Sequence, residues 1–378
     1  MSNNPTPLKF RRTRRILIFS TAYFPLVGGA EVAVKEITDR LSDIQFDLIT
    51  ARFKKDLPKV EKIGNVNVYR LGFGLPLLDK LLLPFSGAIF ALNLNKKNHY
   101  DFFWCIMATF ASGGAYIANL FQKSVPIILT LQEGDSESHL RFRWLGLIDL
   151  SWRLALKRTD ILTVISNYLA ERARRLGYKG RVEIIPNGVD LNRFQLLASS
   201  FQKDTITLIT TSRLVEKNGV GDIIDALEYL PENVHLEILG TGPLESELKL
   251  KAKKLKSSEA RVKFLGLVAQ SQIPTHLHNA DIFIRPSLSE GMGNSFIEAM
   301  AAGLPVIATP VGGIVDFLHD GETGLFCRVK DPESIAEQVK KLINNPELKT
   351  RLVENAGRMV KEKYDWDLIA DQMKKRVF

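Results

Sequence analysis

Short apolar runs alternate with longer amphipathic stretches along most of the chain. In the first half, β-strands are predicted at Ile16–Ser20, Phe46–Thr50, Val66–Leu71, Phe102–Met107, Ile127–Leu131, Ile161–Ile165 and Val182–Ile185. Helical periodicity between them predicts helices that include Ala30–Leu41, Asp149–Arg158 and Tyr168–Leu176. Strands that alternate with helices in this way form mainly parallel sheets that are covered on both faces.

A second series of strands begins after a polar stretch, 192–204, that has little periodicity. These strands are predicted at Thr207–Thr211, His235–Leu239, Val262–Phe264, Ile282–Ile284, Val306–Ala308 and Gly324–Cys327. The polar stretch is the expected linker, because a length of 378 residues is comfortable for two domains. We predict an α/β fold of two Rossmann-like, doubly wound parallel-sheet domains that face a central cleft. The expected segments are a disordered basic tail (1–14) and domains 15–192 and 193–360, with 361–378 following.

Polar and glycine-rich segments follow several strands of the second half. Arg213, Gly240, Glu290 and the pair Gly312-Gly313 each come just after a predicted strand. Ligands of open parallel sheets bind beyond the carboxyl ends of the strands. These segments are therefore the first candidates for a binding site.

Two carboxylates in one of these segments, Glu290 and Glu298, have seven residues between them. Glu290 lies on a glycine-rich turn, and Glu298 lies in a helix that ends at Gly303-Leu304-Pro305. Flexible polar backbone beside a helix N-terminus is suited to holding phosphate groups. Carboxylates can accept hydrogen bonds from the hydroxyls of a sugar or a ribose. The pattern favours a nucleotide-sugar over a nucleotide alone.

The same segment resembles the Glu-x7-Glu signature of the retaining glycosyltransferases of family 4, which have the GT-B fold. Further segments resemble that family in the same order along the chain: Gly28-Gly29, Ile185–Asp190, Ser212–Gly219 (the family's Gly-Arg-Leu-x-x-x-Lys-Gly segment) and Leu239–Leu244. The resemblance covers roughly residues 15 to 370. It also implies that domain 15–192 binds the acceptor, that domain 193–360 binds the nucleotide-sugar donor, and that 361–378 is a helix that crosses back onto the first domain.

By this resemblance, the catalytic residues are expected to be Arg213, Lys217 and Glu290. Arg213 and Lys217 would bind the donor diphosphate and stabilise the charge left on it as the sugar departs. Glu290 would bind hydroxyls of the transferred sugar and would not act as a nucleophile, since the family mechanism is regarded as front-face attack. From position alone, the two basic residues could instead be a solvated pair beside Glu216.

The resemblance also implies a set of donor-binding residues. These are Gly28, Gly29, Gly240, Gly242, Leu267, Gly291, Met292, Gly293, Asn294 and Glu298. Glu298 would contact the ribose, but Ser295 and Glu298 also have capping-box spacing, so Glu298 could bond back to the helix start. Gly291, Met292 and Gly293 would offer backbone amides to the sugar and phosphate, or form a plain tight turn. Leu267 belongs to a segment whose backbone is expected to meet the base.

On the acceptor side, the expected contacts are Gln132, Glu133, Asp135 and Asn187. The family commonly has a histidine after the strand that ends at Leu131, and this chain has Gln132 there. A glutamine can donate and accept hydrogen bonds but cannot carry positive charge.

No cofactor or metal ion is expected. Cys105 and Cys327 lie in apolar surroundings and are predicted to be buried thiols. Asp365-Trp366-Asp367 spells the Asp-x-Asp of metal-dependent glycosyltransferases, but it opens an amphipathic segment, so helix capping is the preferred interpretation. No His/Cys cluster has the spacing of a zinc site.

The formal net charge of +9 indicates an anionic partner, such as an acidic membrane surface or a phosphorylated substrate. No recognisable nucleic-acid-binding module is present. The apolar stretch Leu75–Leu94 is interrupted by Asp79, Lys80 and two prolines, so no membrane-spanning helix is predicted. Core packing is the default interpretation of 77–90, and a shallow membrane-docking face supported by the basic run 9–15 is the alternative. The expected location is the cytoplasm, in peripheral contact with the inner face of the membrane.

The function favoured at this stage is the transfer of a hexose, without a metal, from a UDP- or GDP-sugar. The acceptor would be a hydroxyl of a cell-surface polysaccharide or a lipid-linked glycan. One alternative is a non-catalytic nucleotide-sugar-binding scaffold or sensor. Another is a sugar-phosphate or glucan synthase of the same fold.

Overall fold

The structure is a computed structural model that describes residues 13–134, 147–194, 205–255 and 261–378. The described residues form two compact units. Unit 1 has the bounds Met1–Thr130, Ser151–Leu162 and Lys374–Phe378, and unit 2 has the bounds Leu131–Leu150 and Thr163–Met373. Each unit is therefore made of segments that are separate in the sequence.

The elements of the first half alternate between strand and helix, as the apolar pattern predicts. They are β1 (Arg14–Phe19), α1 (Gly29–Arg40), β2 (Ile44–Ala51), β3 (Val60–Ile63), β4 (Val66–Leu71), α2 (Pro76–Asn98), β5 (Phe102–Ile106), α3 (Phe110–Phe121), β6 (Ile127–Leu131), α4 (Leu147–Lys157), β7 (Ile161–Val164), α5 (Asn167–Arg175), β8 (Arg181–Ile184) and α6 (Leu191–Phe194).

The second half continues the alternation. It contains β9 (Ile206–Thr211), α7 (Val220–Ala226), β10 (Val234–Leu239), α8 (Glu245–Lys253), β11 (Val262–Gly266), α9 (Ile273–His278), β12 (Ile282–Arg285), α10 (Asn294–Ala301), β13 (Val306–Ala308), β14 (Leu325–Phe326), α11 (Pro332–Asn344), α12 (Pro346–Lys363) and α13 (Trp366–Arg376). Short 3-10 turns cover Glu216–Asn218, Leu227–Tyr229 and Gly312–Asp316.

Two sheets organise the described strands. The first has the order β3-β4-β2-β1-β5-β6-β7-β8, and the second has the order β11-β10-β9-β12-β13-β14. β1 pairs in parallel with both β2 and β5, and β9 pairs in parallel with both β10 and β12. The inner residues of β1, Ile16–Phe19, are fully buried, as expected for a central strand covered on both faces. The prediction of two parallel-sheet α/β domains is confirmed.

The predicted strands all occur, and their ends agree with the structure to within two residues. The sequence pattern missed β3, which pairs antiparallel to β4 at the edge of the first sheet and alternates between exposed and half-buried positions. Such a short edge strand has too little apolar content to be recognised. The expected linker begins within α6, and its remaining residues lie outside the described part of the chain.

The apolar stretch of 75–94 forms one long helix, α2. Pro76 lies in its first turn, and the helix continues through Pro84 to Asn98. Among the described residues, it is the one helix long and apolar enough to cross a membrane, by length and composition alone. Core packing accounts for only part of it, because Leu83, Ala88 and Ala91 are buried while Leu77 and Phe85 are exposed.

The C-terminal helix α13 begins at the Asp-x-Asp sequence. Asp365 Oδ1 accepts a hydrogen bond from the Asp367 backbone N–H at 2.8 Å, and the Asp365 carbonyl accepts one from Ile369 at 3.0 Å. Asp365 thus starts the helix, as predicted, while Trp366 is buried. The helix ends with residues that belong to unit 1.

Candidate functional site

The backbone of Glu290 and Gly291 is packed between two glycine-containing segments of unit 2. A Cβ added at Gly134 would lie 2.3 Å from Gly291 N, and one at Gly312 would lie 1.9 Å from Glu290 O. A Cβ at Gly313, the next residue, would lie 2.0 Å from Gly291 O. Side chains at these three positions would displace the turn, so glycine is required there by close approach.

The Glu290 carboxylate is buried and held at both oxygens. One oxygen forms an ion pair with Arg285, and the other accepts the Gly291 backbone N–H at 3.0 Å. The Gly291 amide, which we expected to be offered to a ligand, is therefore already used by Glu290. Met292 is also buried, with a relative exposure of 2%.

Arg285 was missed by the sequence prediction and lies at the centre of this site. Its guanidinium donates to Ser295 Oγ at 2.7 Å and to Ser287 Oγ at 3.2 Å, and it lies over the Phe296 ring at 5.0 Å. Burial lowers the pKa of Arg285 to about 10, an effect that the charge of Glu298 opposes. The available signal was a charged residue at the carboxyl end of an apolar strand, Ile282–Arg285.

Arg213 and Lys217 lie on the loop that follows β9. Asn218 Nδ2 donates to the Arg213 carbonyl at 2.6 Å, and the Leu288 N–H donates to the Lys217 carbonyl at 2.7 Å. Arg285 also reaches Asn218 Oδ1 at 3.5 Å. The basic loop and the Glu290 turn are thus joined by hydrogen bonds, while the Arg213 side chain is exposed.

The capping box of Ser295 and Glu298, which was the alternative role for Glu298, does not form. Helix α10 has Gly293 as its N-cap, in the left-handed region at φ 87°, and Ser295 Oγ accepts from Arg285 instead of from the helix backbone. Among the described residues, none donates a hydrogen bond to the Glu298 carboxylate. Part of Glu298 reaches solvent. Desolvation nevertheless raises the pKa of its carboxyl to about 7, although the charges of Arg193 and Arg285 lower it.

Gly240 and Gly242 lie directly against the loop that carries Arg213. A Cβ at Gly240 would lie 1.9 Å from Ser212 O, and one at Gly242 would lie 2.3 Å from Leu214 O. Leu267 follows β11 and is 85% exposed. Gly266, the last residue of β11, accepts the Gly240 N–H at 2.7 Å. The segment expected to meet the base therefore borders the same loops.

Three of the predicted polar residues form one hydrogen-bonded group. Asn187 Nδ2 donates to Gln132 Oε1 at 3.0 Å and to Asn294 Oδ1 at 3.1 Å. Ser289 Oγ donates to the Gly134 carbonyl at 2.7 Å, so the segment after β6 is joined to the Glu290 turn. Glu133 lies in this segment, and Asp135 lies outside the described residues.

Gly28 and Gly29 belong to unit 1 and begin α1. Gly28 is the N-cap, and its backbone N–H donates to Glu31 Oε2 at 2.7 Å. Burial raises the pKa of Glu31. The glycine pair therefore lies at a helix N-terminus after β1, as predicted; its role toward a donor stays a prediction.

The described residues contain no group of three or more His, Cys, Asp and Glu side chains that could hold a metal ion. Cys105 and Cys327 are buried thiols, as predicted. Burial raises the pKa of Cys327 to about 12, which keeps this thiol protonated at neutral pH.

Two family models together match most of the chain. The model described as Glycosyltransferase Family 4 matches residues 27–193, and the model described as Glycosyl transferases group 1 matches residues 193–359. An uncharacterized glycosyltransferase of Methanocaldococcus jannaschii is 27% identical over 369 residues, which cover 93% of this chain and 94% of that protein.

Two further proteins are informative about ligands. A GDP-mannose-dependent alpha-(1-6)-phosphatidylinositol monomannoside mannosyltransferase of Mycobacterium tuberculosis is 29% identical over 57% of this chain and 60% of its own length. HepE of Anabaena, solved in complex with UDP-glucose, is similar with a TM-score of 0.77 and 21% identity, over 96% of this chain and 98% of that structure. The similarity of the solved structures identifies the fold as GT-B.

Proposed function

Because this chain is a member of the family 4 (group 1) glycosyltransferases, we propose that it transfers a hexose from a UDP- or GDP-sugar to a hydroxyl of a glycan acceptor. The observation that supports this most is the connected group around Arg285. It joins the loop of Arg213 and Lys217 to the turn of Glu290 and to the start of the helix that carries Glu298. Groups suited to phosphate, sugar hydroxyls and ribose thus occur on adjoining segments of one unit.

In this proposal, Arg213 and Lys217 bind the donor diphosphate. During transfer, the bond between the sugar C1 and the diphosphate oxygen breaks and a bond from C1 to the acceptor oxygen forms. Negative charge accumulates on the departing diphosphate, and preorganised cations that face it lower the barrier. The acceptor proton passes to the diphosphate, so no protein base is required. The reaction retains the anomeric configuration and uses no metal ion.

Glu290 binds hydroxyls of the donor sugar and does not attack C1. Its ion pair with Arg285 and its bond from the Gly291 N–H reduce the nucleophilicity of the carboxylate and fix its orientation. Two such bonds still leave lone pairs that can accept sugar hydroxyls. Glu298 accepts hydrogen bonds from the ribose hydroxyls. This role is consistent with the structure, in which no described residue donates a hydrogen bond to the Glu298 carboxylate.

The proposed donor is a UDP- or GDP-sugar because one relative is named for GDP-mannose and one similar structure contains UDP-glucose. The proposed acceptor is a cell-surface polysaccharide or a lipid-linked glycan, which agrees with the phosphatidylinositol mannoside named for that relative. The group of Gln132, Asn187 and Asn294 offers neutral amides to the substrates. The proposed location is the cytoplasm.

Isothermal titration calorimetry with a panel of UDP- and GDP-sugars tests the donor site. We expect micromolar binding of one nucleotide class, unchanged when EDTA replaces magnesium. Arg213→Ala should weaken this binding by at least about tenfold, since a charge-assisted contact contributes about 1.5–3 kcal/mol. Arg358→Ala is the matched control, because Arg358 is an exposed arginine of the same unit on α12.

Failure of every nucleotide-sugar to bind folded wild-type protein would overturn the donor assignment. Slow release of sugar from the bound donor, measured without acceptor, separates an enzyme from a non-catalytic sensor. Binding without any release or transfer would favour the sensor. Anomeric coupling constants of the transferred sugar, measured by NMR, test retention of configuration, and an inverted product would exclude the front-face mechanism.

A further inference from the structure

The side chains of Gln132, Asn187 and Asn294, here called the amide triad, have a defined direction of hydrogen bonding. Asn187 Nδ2 donates to Gln132 Oε1 at 3.0 Å and to Asn294 Oδ1 at 3.1 Å. An amide nitrogen carries two hydrogens, so both hydrogens of Asn187 are used within the triad. The carbonyl oxygen of each outer amide therefore faces Asn187, and the NH2 group of each outer amide is turned away from it.

We propose that Asn187 is a positioning residue that makes the NH2 group of Gln132 the end of the triad that meets the substrate. Gln132 then donates a hydrogen bond to an oxygen of the transferred sugar. This inference rests on the proposed hexose transfer and deepens it, because it assigns a polarity to one sugar contact. It also moves Gln132 from the acceptor side to the donor sugar.

Asn187 is suited to setting this direction because its own position is fixed. It has a relative exposure of 4%. The Val189 N–H donates to the Tyr364 carbonyl at 2.7 Å, and the Trp366 N–H donates to the Val189 carbonyl at 3.3 Å. A Cβ at Gly188 would lie 2.8 Å from the Tyr364 carbonyl oxygen, so the segment is closely packed. The backbone beside Asn187 is therefore anchored.

Both outer amides lie beside the turn of Glu290. A Cβ added at Gly291 would lie 3.1 Å from the Gln132 carbonyl oxygen. A Cβ at Gly293, the residue before Asn294, would lie 3.2 Å from Glu290 Cγ. The outer amides are half-buried, whereas the central amide is buried. The outer amides can thus meet a ligand, and the central one acts through them.

The directions of the three amides depend on one another. Turning the Asn187 amide over would bring its oxygen against two carbonyl oxygens unless both outer amides turned as well. Either direction is complete within the triad, but the two directions offer opposite groups to a ligand. One offers two NH2 groups and the other offers two oxygens. The observed direction therefore adds hydrogen-bond donors beside the Glu290 carboxylate, which can only accept.

A sugar hydroxyl needs both kinds of partner, because it donates one hydrogen and accepts at its oxygen. The Glu290 carboxylate can accept from such hydroxyls, and the Gln132 NH2 group can donate to them. Glutamine carries a donor and an acceptor of nearly the same shape, so a neighbouring group has to decide which of them meets the ligand. In this chain, that neighbour is Asn187.

Calorimetry with matched ligand pairs tests the proposal. The pairs include UDP-glucose with UDP and GDP-mannose with GDP, so the ratio of the two Kd values in a pair reports on the sugar. Asn187→Asp removes both hydrogens, so Gln132 has to turn its NH2 group toward the new carboxylate and its oxygen toward the sugar. Gln132→Glu keeps an acceptor for Asn187 but also places an oxygen toward the sugar. In both variants, the Kd of the nucleotide-sugar relative to that of the nucleotide should rise at least about tenfold.

Monodeoxy analogues of the bound sugar, one for each hydroxyl, identify the oxygen that Gln132 contacts. For one analogue, the preference for the parent sugar should be smaller in Gln132→Leu than in wild type by at least about tenfold. Asn187→Leu/Gln132→Leu should bind the parent sugar as Gln132→Leu does, because Asn187 acts through Gln132. A further loss in the double variant would contradict this order of action.

Asn355→Asp is the matched control. Asn355 is a half-buried residue of α12 in the same unit, and its Nδ2 donates to the Glu322 carbonyl at 3.1 Å. This variant loses a comparable hydrogen bond and should leave the ratio of Kd values unchanged. Thermal unfolding confirms that each variant is folded. Gln132→Glu retains the bond from Asn187, so it decides the outcome if Asn187→Asp does not fold.

The results that overturn this proposal differ from those that overturn the donor site. If the folded polarity variants weaken nucleotide and nucleotide-sugar equally, the triad has only a structural role. If they leave every Kd unchanged, Gln132 does not donate to the sugar. If wild-type protein binds no nucleotide-sugar, the proposed function itself is wrong, and this inference is wrong with it.

Discussion

At the scale of single residues, the Glu298 carboxyl combines a raised pKa with the absence of a hydrogen-bond donor among the described residues. Its pKa of about 7 lies above the ordinary value of 4.5, so the folded chain holds this proton more tightly than the unfolded chain does. The stability that this proton provides is present below about pH 4.5 and is lost as the pH rises through about 7. A ribose that donates to the carboxylate would compensate for this loss.

We therefore expect donor affinity to fall by up to about tenfold per pH unit below pH 7, because the ionised carboxylate is the better acceptor. Calorimetric titration across this range measures the change. Glu298→Gln should bind donor weakly with a flat pH profile, and the variant without ligand should be more stable than wild type at about pH 8. A wild-type affinity that does not vary with pH would contradict the ribose role.

Arg285 and Glu290 form a buried pair whose partners depend on each other. Arg285→Met should reduce the free energy of unfolding by about 3–5 kcal/mol, because it leaves an uncompensated carboxylate in a buried site. Urea denaturation measures this loss. Arg285→Met/Glu290→Gln should recover a large part of it, since the remaining side chain is neutral.

The control for Arg285 is a more exposed ion pair of the same unit. Lys251 pairs with Asp225, and both side chains are more than a third exposed. Lys251→Met should reduce the free energy of unfolding by less than about 1 kcal/mol. Equal losses in Arg285→Met and Lys251→Met would show that the buried pair has no special importance for the fold.

At the scale of elements, the loops that follow β6, β12 and β13 hold one another in place. Gly312 has φ of 57°, in the left-handed region, and its missing Cβ leaves room for the Glu290 carbonyl. Gly134 approaches the Gly291 amide from another segment. The position of Glu290 thus depends on Gly134 and Gly312, two glycines that are far apart in the chain.

We expect Gly312→Ala to reduce the free energy of unfolding by about 2–4 kcal/mol, because the new Cβ meets backbone and the dihedral angles become strained. Urea denaturation and donor binding should both report the change. Gly357→Ala is the control: Gly357 lies inside α12 with nothing within 4 Å of its added Cβ. In that variant, the free energy of unfolding should rise by about 0.5–1 kcal/mol. Similar effects of the two substitutions would contradict this explanation.

At the scale of the whole molecule, the last residues of the sequence pack against β1, β2 and β5 in unit 1. The Phe378 ring contacts Trp104 at a centroid distance of 5.1 Å and Phe46 at 6.0 Å, and Arg14 donates to the Phe378 carbonyl. Lys374 also forms an ion pair with Asp43 at 2.7 Å. The unit is therefore completed by residues that follow all of unit 2 in the sequence.

Phe378→Ala should cost about 3–5 kcal/mol of stability, as for other buried aromatic side chains. Thermal and urea unfolding measure the loss. Phe121→Ala serves as the control, because Phe121 is 74% exposed. It should change the free energy of unfolding by less than about 0.5 kcal/mol. A small effect at Phe378 would mean that unit 1 does not need this contact.

The sequence by itself determined the two parallel sheets, the buried thiols and the order of the motifs. These follow from local periodicity: apolar runs such as Ile16–Phe19 and Val306–Ala308 are strands wherever they pack, because only a fully covered strand is apolar on both faces. The family resemblance was likewise readable from short segments, since each is contiguous in the chain.

The tertiary structure decided what depends on contacts between distant segments. It replaced the capping box of Ser295 and Glu298 with the Arg285 contact, and it assigned the Gly291 amide to Glu290. It also left one face of α2 uncovered, although the apolar pattern favoured core packing. Local patterns indicate which residues prefer burial or capping, but the partners that are actually available are set by the packing of the whole chain.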